Sequence, residues 1–322
     1  MQIRTFDELT PSMDSARLLV HLSSLGGATD RDAVRLWRAR SALFSDYVGV
    51  FAVERGEVLG QTLVKRLAYT FPGGTETIAA VASVGTRPDR ARRGVARRLL
   101  EDVHRREREA GIRFVSLWTN FSWGAHRLYD RLGYRDTYAF PWAVRRPAPG
   151  SRSNRARGRR AKPATLADLE EIEQLHDRLG QGRLGFCRRP PHFLRLQAIS
   201  REVDPARELL VVRRDGAIAG YAHLQSTATR TISGELMAAA RADRVRLVEG
   251  VERRAQGTAV AFQHTPVTDD LGLFRRRGYS EMNAGWYVFM TAALSGTRAR
   301  RAAVAEFGVD DPRFLCLSGD RF

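Results

Sequence analysis

Apolar and polar residues alternate with period two in the first third of the chain, which predicts a β-hairpin. Its two strands, Tyr47–Val53 and Val58–Leu67, flank the polar turn Glu54–Glu57. A turn at Phe71–Gly74 then leads into a third strand, Thr77–Val84, whose last residues form a short apolar run that is typical of a buried strand. The alternation therefore predicts a sheet that begins near residue 47.

Helical spacing of apolar residues occurs on both sides of this sheet. Ser15–Leu25 and Asp30–Phe44 show it before the hairpin, with Thr29 as the expected N-cap of the second helix. After the third strand, apolar residues at 95, 99, 100 and 103 predict a helix that ends at Gly111. The rest of this half is predicted as a strand at Arg113–Trp118, a helix at Trp123–Leu132 that Ser122 caps and Gly133 ends, and a closing strand at Thr137–Val144.

The same order of elements recurs beyond residue 162, which we interpret as an internal duplication. Thr165–Asp168 has the form of a capping box before a helix that reaches Leu179. The hairpin at Glu208–Leu224 repeats the first hairpin, and Leu271–Tyr279 echoes Arg127–Tyr134. We therefore divide the chain into a first domain at 1–145, a linker at 146–162, a second domain at 163–292 and a tail at 293–322 with a helical stretch at Thr297–Phe307.

Length and cysteine content narrow the class of protein. A chain of 322 residues can hold two domains with substantial cores. Cys187 and Cys316 are its only cysteines, which favours a reducing, cytoplasmic location and argues against a disulfide scaffold or a zinc site. The N-terminal residues lack the apolar region of a signal peptide, and no apolar run is long enough to span a membrane. We therefore expect a cytoplasmic protein without a membrane partner.

One stretch, Val81–Tyr134, joins a buried strand to a basic turn and a helix. Pro88 ends the strand, and the residues after it carry several arginines and Gly94. The first amides of a helix have no intrahelical acceptor and lie at the positive end of its dipole, and a glycine lets an anion approach the backbone. The pattern therefore favours an anion site, although a solvated basic helix start after a core strand would have the same spacing.

Two motifs in this stretch resemble those of the GNAT superfamily of acyl-CoA N-acyltransferases. Val84–Ala96 is similar to the family signature in which a V-x-V-x-P strand leads into an R/Q-x-x-G-x-G/A loop that holds the CoA pyrophosphate. Gly94 and Ala96 match the two small positions, whereas Ala91 replaces the usual Arg or Gln. Ala125–Tyr134 resembles the family's N-x-x-A-x-x-L-Y-x-x-x-G-F/Y helix, with Ser122 in place of the Asn.

The resemblance implies an α/β fold, more closely α+β, of two GNAT-like domains, each with a mixed, mostly antiparallel central sheet flanked by helices. It implies an acetyl-CoA-dependent N-acetyltransferase that moves the acyl group from the CoA thioester directly to a primary amine of a small molecule, without a metal. The residues that it places at the acyl-CoA site are Val84, Gly85, Thr86, Arg92, Arg93, Gly94, Val95, Ala96, Arg97 and Ser122.

Acyl transfer to an amine needs an oxyanion donor, a proton donor for the leaving thiolate and a proton acceptor for the amine. By resemblance the first is a backbone N–H within Val84–Thr86. The second is Tyr129, for which the alternative is an ordinary core aromatic. Glu76, at the start of the central strand, is the nearest candidate base, and His126 and His104 are the others.

Aromatic residues suggest where the acceptor binds. Trp118, Phe121 and Trp123 either line an acceptor pocket or pack against the edge of the sheet. The aromatic tail is similar to that of aminoglycoside acetyltransferases of the enhanced-intracellular-survival type, in which the terminal carboxylate reaches the active site. This similarity adds the carboxylate of Phe322 to the candidate catalytic groups.

The net charge of +17 is unevenly distributed. Residues 145–162 contain eight basic side chains and no acidic one, in a polar, turn-rich context that we interpret as a linker. The alternative is a basic arm that binds nucleic acid or clamps the CoA phosphates. Because no aromatic residue interleaves these arginines, nucleic acid is disfavoured as a partner.

The second half lacks the glycine-bearing loop. The strand predicted at Glu235–Ala242 runs into Asp243–Arg246 without a Pro turn or a Gly, so we expect no acyl-CoA site there. This half is expected to support the wall of the pocket or to form the face of a homodimer. Since no carboxylate lies on the central strand near Val84, a second class of function stays open, a non-catalytic acyl-CoA-binding or nucleic-acid-binding protein on the same scaffold.

Overall fold

The computed structural model describes residues 1–25, 47–146, 160–255, 257–263, 271–282, 287–294 and 306–317. The helix predicted at Asp30–Phe44, with its N-cap Thr29, lies outside these residues. So do Phe322 and all but the end of the helix predicted at Thr297–Phe307.

The described residues form strands and helices in the order expected for two similar halves. The strands are β1 (Gln2–Thr5), β2 (Tyr47–Glu54), β3 (Glu57–Phe71), β4 (Gly74–Thr86), β5 (Phe114–Thr119), β6 (Arg135–Ala139), β7 (Trp142–Arg145), β8 (Lys162–Pro163), β9 (Cys187–Arg188), β10 (Leu209–Arg214), β11 (Ala217–Ser226), β12 (Arg230–Ala238), β13 (Ala259–Gln263), β14 (Ser280–Met282) and β15 (Val288–Ala293). The helices are α1 (Pro11–Leu25), α2 (Val95–Glu109), α3 (Gly124–Arg131), α4 (Leu169–Gly180), α5 (Phe193–Ile199), α6 (Pro205–Glu208), α7 (Arg241–Arg254) and α8 (Leu271–Arg276).

The first sheet has the strand order β1-β2-β3-β4-β5-β15-β6, with β9 paired to the far end of β3. Its pairings are antiparallel except for that of β4 with β5. The predicted hairpin is confirmed as β2 and β3, and the third strand is confirmed as β4. Helix α1 packs on one face of the sheet, and α2 and α3 pack on the other.

Helix α2 buries the stripe that its spacing predicts. Val95, Leu99, Leu100 and Val103 are each at most 4% exposed and pack against the first sheet. The helix ends at Glu109 with Ala110 as its C-cap, and Gly111 follows with a φ of 79°. The prediction of an amphipathic helix after the basic turn is therefore confirmed.

The second sheet has the order β14-β7-β13-β12-β11-β10-β8 and is also antiparallel apart from the pairing of β12 with β13. The capping box of Thr165 and Asp168 is present and leads into α4. The second hairpin is confirmed as β10 and β11. The predicted fold class, two mixed and mostly antiparallel sheets flanked by helices, is thus confirmed.

Each half contributes its last strand to the sheet of the other half. Strand β7 pairs with β13 and β14, and β15 lies between β5 and β6. The prediction of one strand at Thr137–Val144 that closes the first sheet is therefore wrong. The chain leaves the first sheet after Ala139 and enters the second at Trp142. Pro141, which cannot donate a ladder hydrogen bond, lies at this crossing.

The exchange makes the hydrophobic cores depend on both halves. Val288 and Met290 of β15 are buried with residues of α2 and α3, and Ala143 of β7 is buried in the core of the second half. A further cluster between the sheets includes Phe314, so the part of the tail within residues 306–317 packs against the rest of the chain. The domain boundaries drawn from the sequence stay a prediction.

Two predicted element ends are wrong. Ser122 does not cap α3, because its amide and hydroxyl both donate to Asn120 Oδ1, at 2.8 and 2.7 Å, and Trp123 is the N-cap. The strand predicted at Glu235–Ala242 is β12, which ends at Ala238, and Arg241 already begins α7.

The strand exchange predicts that the halves do not fold separately. A fragment of residues 1–146 would leave the edge of β5 unpaired and would lose the buried side chains of β15. We expect this fragment to show no cooperative thermal unfolding by circular dichroism, and co-expression with residues 147–322 to restore it. A full-length chain cleaved between 147 and 159 after folding is the control. Cooperative unfolding of the fragment alone at the full-length midpoint would contradict the prediction.

Candidate functional site

Strand β4 departs from regular geometry beside its neighbour β5. Their parallel pairing is confined to residues 79–81 and 115–117, so within the described residues the end of β4 has no strand partner on that side. On the β3 side the register shifts, and Ser83 and Val84 both face Thr62. Ser83 has a φ of 51°, in the left-handed region, which marks a β-bulge. The two strands therefore separate toward their carboxyl ends.

The turn that follows β4 directs backbone amides toward one side. After a short 3₁₀ helix at Pro88–Arg90, Arg92 and Gly94 have φ values of 60° and 78°. Left-handed residues in alternation with others form a concave row of N–H groups that binds anions. Glycine adopts this φ without steric cost, and a Cβ at Gly94 would meet nothing within 4 Å. The space above the first turn of α2 is therefore open.

The N-terminus of α2 has no internal compensation for its positive dipole end. Its first turn contains no acidic residue, and its N-cap, Gly94, has no side chain to accept hydrogen bonds from the free amides. Among the described residues, the first amide at this helix start with a backbone acceptor is that of Arg98, which donates to Gly94 O at 3.0 Å. The helix start is therefore suited to an external anion.

Arginines at this helix start differ in their pairing. Arg97 is exposed and pairs with Glu101 at 2.7 Å. Arg92, Arg93 and Arg98 have no ion-pair partner in the part of the chain that the structure describes. Since most arginines further along α2 are paired or hydrogen-bonded, unpaired positive charge is concentrated at the open end of the helix.

Two glycines let helices approach the ends of the strands. A Cβ at Gly60 would lie 2.7 Å from Val95 Cγ1, and a Cβ at Gly85 would lie 2.9 Å from Ser24 Cβ. Ser24 Oγ also donates to the carbonyl of Thr86 at 3.0 Å. Because the side chain of Val95 is in the core, only its amide can face the open space. The bulge is thus held between α1 and the first turn of α2.

Tyr129 lies on α3, on the face of the sheet that α2 also covers. It is 7% exposed and packs edge-on against Tyr134, with ring centroids 5.8 Å apart. Burial raises the pKa of Tyr129 to about 12, so the phenol keeps its proton at neutral pH. A buried, protonated phenol can donate a hydrogen bond to an anion such as a thiolate.

The loop between β5 and α3 lies at the same sheet edge as the basic turn, because β4 and β5 are parallel neighbours and each ends there. Ser122 is in this loop with Asn120, so the structure brings it to the neighbourhood of the Gly94 turn. Trp118 packs between Phe140 and Phe289 in the cluster between the sheets. Phe121 and Trp123 are instead exposed, by 44% and 56%.

The structure separates the candidate bases from this site. Glu76 pairs with Arg113 at 3.2 Å at the opposite end of β4, about 26 Å along the strand from Val84. Burial lowers the pKa of His104 to about 4, and its Nε2 is hydrogen-bonded to Tyr134 Oη at 3.0 Å. These contacts give Glu76 and His104 structural roles.

His126 is also tied to a neighbouring element. Its Nε2 lies 2.8 Å from Asp136 Oδ1, and its ring contacts that of Phe121. The side chain thus joins the start of α3 to β6. The remaining candidate, Phe322, lies outside the described residues.

In the second half, an acidic side chain lies in the first turn of the equivalent helix, α7. Asp243, in the first turn of α7, is 1% exposed and forms ion pairs with Arg214 and Arg246. Only residues 239–240 connect β12 to α7, compared with 87–94 between β4 and α2. The positive helix end that is open in the first half is therefore neutralised internally in the second.

Sequence reasoning missed three residues at the bulge. Ser83 gives no signal in the sequence, because its left-handed φ is imposed by the pairing around it. His21 Nδ1 lies 3.2 Å from Nε2 of Gln61, the cross-strand partner of Gly85. Burial and, less strongly, Arg17 lower the pKa of His21. Polar residues at helical spacing on the buried side of α1 could have indicated this contact.

The described residues show neither a cluster of metal ligands nor a membrane-spanning helix. They contain no cluster of three or more histidine, cysteine or acidic side chains that could hold a metal ion. None of the helices in the described ranges is long and apolar enough to cross a membrane.

Comparisons with known proteins show a similarity of the first half to one family. Residues 20–136 match the family model for an acetyltransferase (GNAT) domain. No curated protein matches the sequence.

Solved structures resemble the chain over most of its length. A probable N-acyltransferase of Enterococcus faecalis V583 is 12% identical with a TM-score of 0.66, covering 91% of this chain and 73% of that one. A GCN5-related N-acetyltransferase of Anabaena variabilis is 14% identical with a TM-score of 0.66, at 91% and 73% coverage. Eis1 of Mycobacterium abscessus is 20% identical with a TM-score of 0.59, at 92% and 74% coverage.

These likenesses extend to both sheets and so show the fold of the whole chain, whereas the family model is confined to the first half. Residues 20–136 are therefore similar to the GNAT acetyltransferase domain, in a chain that has the fold of these solved structures.

Proposed function

We propose that this protein is an acetyl-CoA-dependent N-acetyltransferase that transfers the acyl group directly to a primary amine of a small molecule in a ternary complex. The observation that supports this most strongly is the open N-terminus of α2. Within the described residues it combines amides without a backbone acceptor, a left-handed Gly94 and arginines without an ion-pair partner, beside the separating ends of β4 and β5.

In this proposal the pyrophosphate of the donor binds the amides of residues 92–97. Arg92, Arg93 and Arg98 surround it with charge that the described residues leave unpaired. A phosphate at a helix N-terminus accepts several N–H bonds at once and interacts favourably with the dipole. This arrangement fixes the donor by its backbone contacts, so the loss of the usual Arg or Gln at Ala91 removes one contact without removing the site.

The thioester end of the donor would then enter between β4 and β5. There the bulge at Ser83 and Val84 leaves backbone N–H groups of β4 without a strand partner on the β5 side. The amine nitrogen forms a bond to the carbonyl carbon, and the carbonyl oxygen becomes an oxyanion that these amides stabilise. Collapse of this intermediate breaks the C–S bond and releases CoA thiolate.

Tyr129 is the proposed proton donor to that thiolate. Its buried phenol stays protonated at neutral pH, whereas a thiolate is the conjugate base of an acid with a pKa of about 8.5. Because the phenol is the weaker acid, this transfer is uphill, and it is completed only as the proton that the amine loses to solvent returns to the phenol. Because a thiolate already leaves readily, the contribution of this acid is modest.

Acetyl-CoA binding should depend on the backbone at Gly94. Gly94→Glu places a carboxylate in the open space, where it competes with the pyrophosphate for the same amides. Acetyl-CoA at about 100 times its dissociation constant should stabilise the wild type by about 2.7 kcal/mol and raise its midpoint by several degrees. We expect this shift, measured by differential scanning fluorimetry, to vanish in Gly94→Glu together with turnover.

Gly111→Glu is a matched control at the other end of the same helix. Gly111 has a φ of 79°, and a Cβ there also meets nothing within 4 Å, so both variants carry the same charge and similar backbone strain. This variant should keep the acetyl-CoA shift. Loss of the shift in both variants, or in neither, would contradict the placement of the donor.

Turnover should depend on the hydroxyl of Tyr129. Tyr129→Phe removes the proton donor and keeps the ring packing against Tyr134, so we expect kcat to fall about tenfold to a hundredfold with the affinity for acetyl-CoA unchanged. Thiol release with a panel of small primary amines measures this. An unchanged kcat would show that another group protonates the thiolate, and binding without turnover in the wild type would favour a non-catalytic acyl-CoA-binding protein.

A further inference from the structure

We propose that the side chain of Gln61 binds the nitrogen of the acceptor amine, and that His21 holds the Gln61 amide in the orientation that this contact needs. The inference rests on the proposed function, because it names the residue that orients the nucleophile in the same reaction. The contact lies on the face of the first sheet that α1 covers, opposite to α2 and Tyr129.

Gln61 lies beside the bulge of β4, on the α1 side of the sheet. It is the cross-strand partner of Gly85 on β4 and of Phe51 on β2, and such partners share a face. Phe51 is buried in the cluster that includes Val20 of α1, so the side chain of Gln61 is on that face as well. The bulged residues immediately precede Gly85 along β4. Gln61 is therefore next to the point at which the thioester carbonyl is proposed to lie.

The amide oxygen of Gln61 has no hydrogen-bond partner among the residues that the structure describes. Gln61 is 1% exposed, and its Oε1 accepts no hydrogen bond from them. A buried amide oxygen without a donor destabilises the folded state, so such atoms are rare in native proteins and often have a functional role. An N–H group of an amine would supply the donor that this oxygen lacks.

The amide nitrogen of Gln61 is held by His21 of α1. Gln61 Nε2 lies 3.2 Å from His21 Nδ1, and the imidazole nitrogen is the acceptor because an amide nitrogen can only donate. Burial and, less strongly, Arg17 lower the pKa of His21, so its ring is neutral and offers this lone pair at neutral pH. The bond at Nε2 leaves Oε1 as the atom of the amide that a substrate can use.

Small side chains on β4 leave space beside this oxygen. Ala82 is the cross-strand partner of Leu63, which packs with α1, so Ala82 is on the same face as Gln61. Between Ala82 and Gln61 along this face lies only Gly85, which has no side chain. Ala82 is half-buried, although it lies on a central strand of the sheet. The α1 face is therefore accessible at the bulge, on the side opposite to the proposed CoA helix.

The chemistry of the reaction gives this oxygen a role in the transition state. As the amine nitrogen forms a bond to the carbonyl carbon, it becomes positively charged, and its N–H groups become stronger donors. A hydrogen bond to Gln61 Oε1 therefore strengthens during the attack, and a contact that strengthens in the transition state raises kcat. The C–S bond then breaks and the nitrogen loses its extra proton to solvent. Gln61 accepts a hydrogen bond and takes no proton at any stage.

Gln61→Met tests this contact in the intact protein, because it keeps the length of the side chain and removes Oε1. Thiol release is measured with ethanolamine, benzylamine and tyramine as acceptors, and acetyl-CoA binding by isothermal titration calorimetry. We expect kcat to fall about tenfold to a hundredfold for each amine that the wild type acetylates, with the dissociation constant for acetyl-CoA unchanged. Gln61→Glu keeps an oxygen at this position and should lose much less activity than Gln61→Met.

Two further variants control for packing and test the role of His21. Gln197→Met makes the same change at a buried glutamine on α5 of the second half and should alter neither kcat nor acetyl-CoA binding. His21→Phe keeps a ring and removes the acceptor of the Gln61 amide, and it should lower kcat about threefold to tenfold. Because His21 acts through Gln61, the double variant should be no slower than Gln61→Met alone.

The outcomes separate this inference from the proposed function. An unchanged kcat in Gln61→Met, an equal loss in Gln61→Glu, or a parallel loss of acetyl-CoA affinity would overturn the assignment of Gln61 and leave the acyl-CoA site standing. Multiplicative losses in the double variant would overturn the role of His21. If the wild type releases no thiol with any of the three amines, the proposed function is overturned, and the assignment of Gln61 with it.

Discussion

The amides at the N-terminus of α2 are the constraint on which the proposed site depends. A helix start needs partners for its first N–H groups, and most helices obtain them from a capping side chain or from water. Here the N-cap is a glycine and the first turn has no acidic residue. The neighbouring structure preserves this opening, since Gly60 and Gly85 let α2 and α1 close on the ends of β3 and β4 without filling it.

The second half has the same order of strands and helix, but its helix has an acidic residue in the first turn. Its central strand also pairs in parallel with the next strand, and its helix follows directly, but Asp243 lies buried in the first turn between two arginines. This buried carboxylate interacts favourably with the positive end of the helix dipole without a ligand, and both of its oxygens are bound by arginines. The exchanged strands β7 and β15 join this half to the first, and their side chains are buried in the core of the other half.

Local sequence patterns predicted the helices and hairpins that bury one face. The arrangement of strands in the two sheets depends on pairing between distant residues and could not be predicted in this way. The spacing of Val95, Leu99, Leu100 and Val103 was sufficient to predict α2, and alternation was sufficient for both hairpins. The exchange of β7 and β15 could not be predicted, because a strand pattern shows which face is buried and not which sheet supplies the partner. Pro141 indicated that the strand is interrupted, but it did not indicate which sheet the chain enters next.

The residues of the candidate site likewise divide into those that the sequence indicates and those that it does not. Gly94 and the arginines around it could be identified from the sequence, since a glycine at a helix start and a cluster of basic residues are local features. The bulge at Ser83 and the contact of His21 with Gln61 arise from register and from helix packing, which no spacing specifies. Glu76 lies on the same strand as the bulge but at its other end, where it pairs with Arg113, and the strand pattern does not give that distance.

The most direct test of this account is the stoichiometry of acetyl-CoA binding to the intact chain by isothermal titration calorimetry. An open helix end in the first half and an internally neutralised one in the second predict one molecule bound per chain. Two molecules per chain would show that Asp243 does not exclude the donor, and the absence of binding would show that the open end of α2 is not an acyl-CoA site.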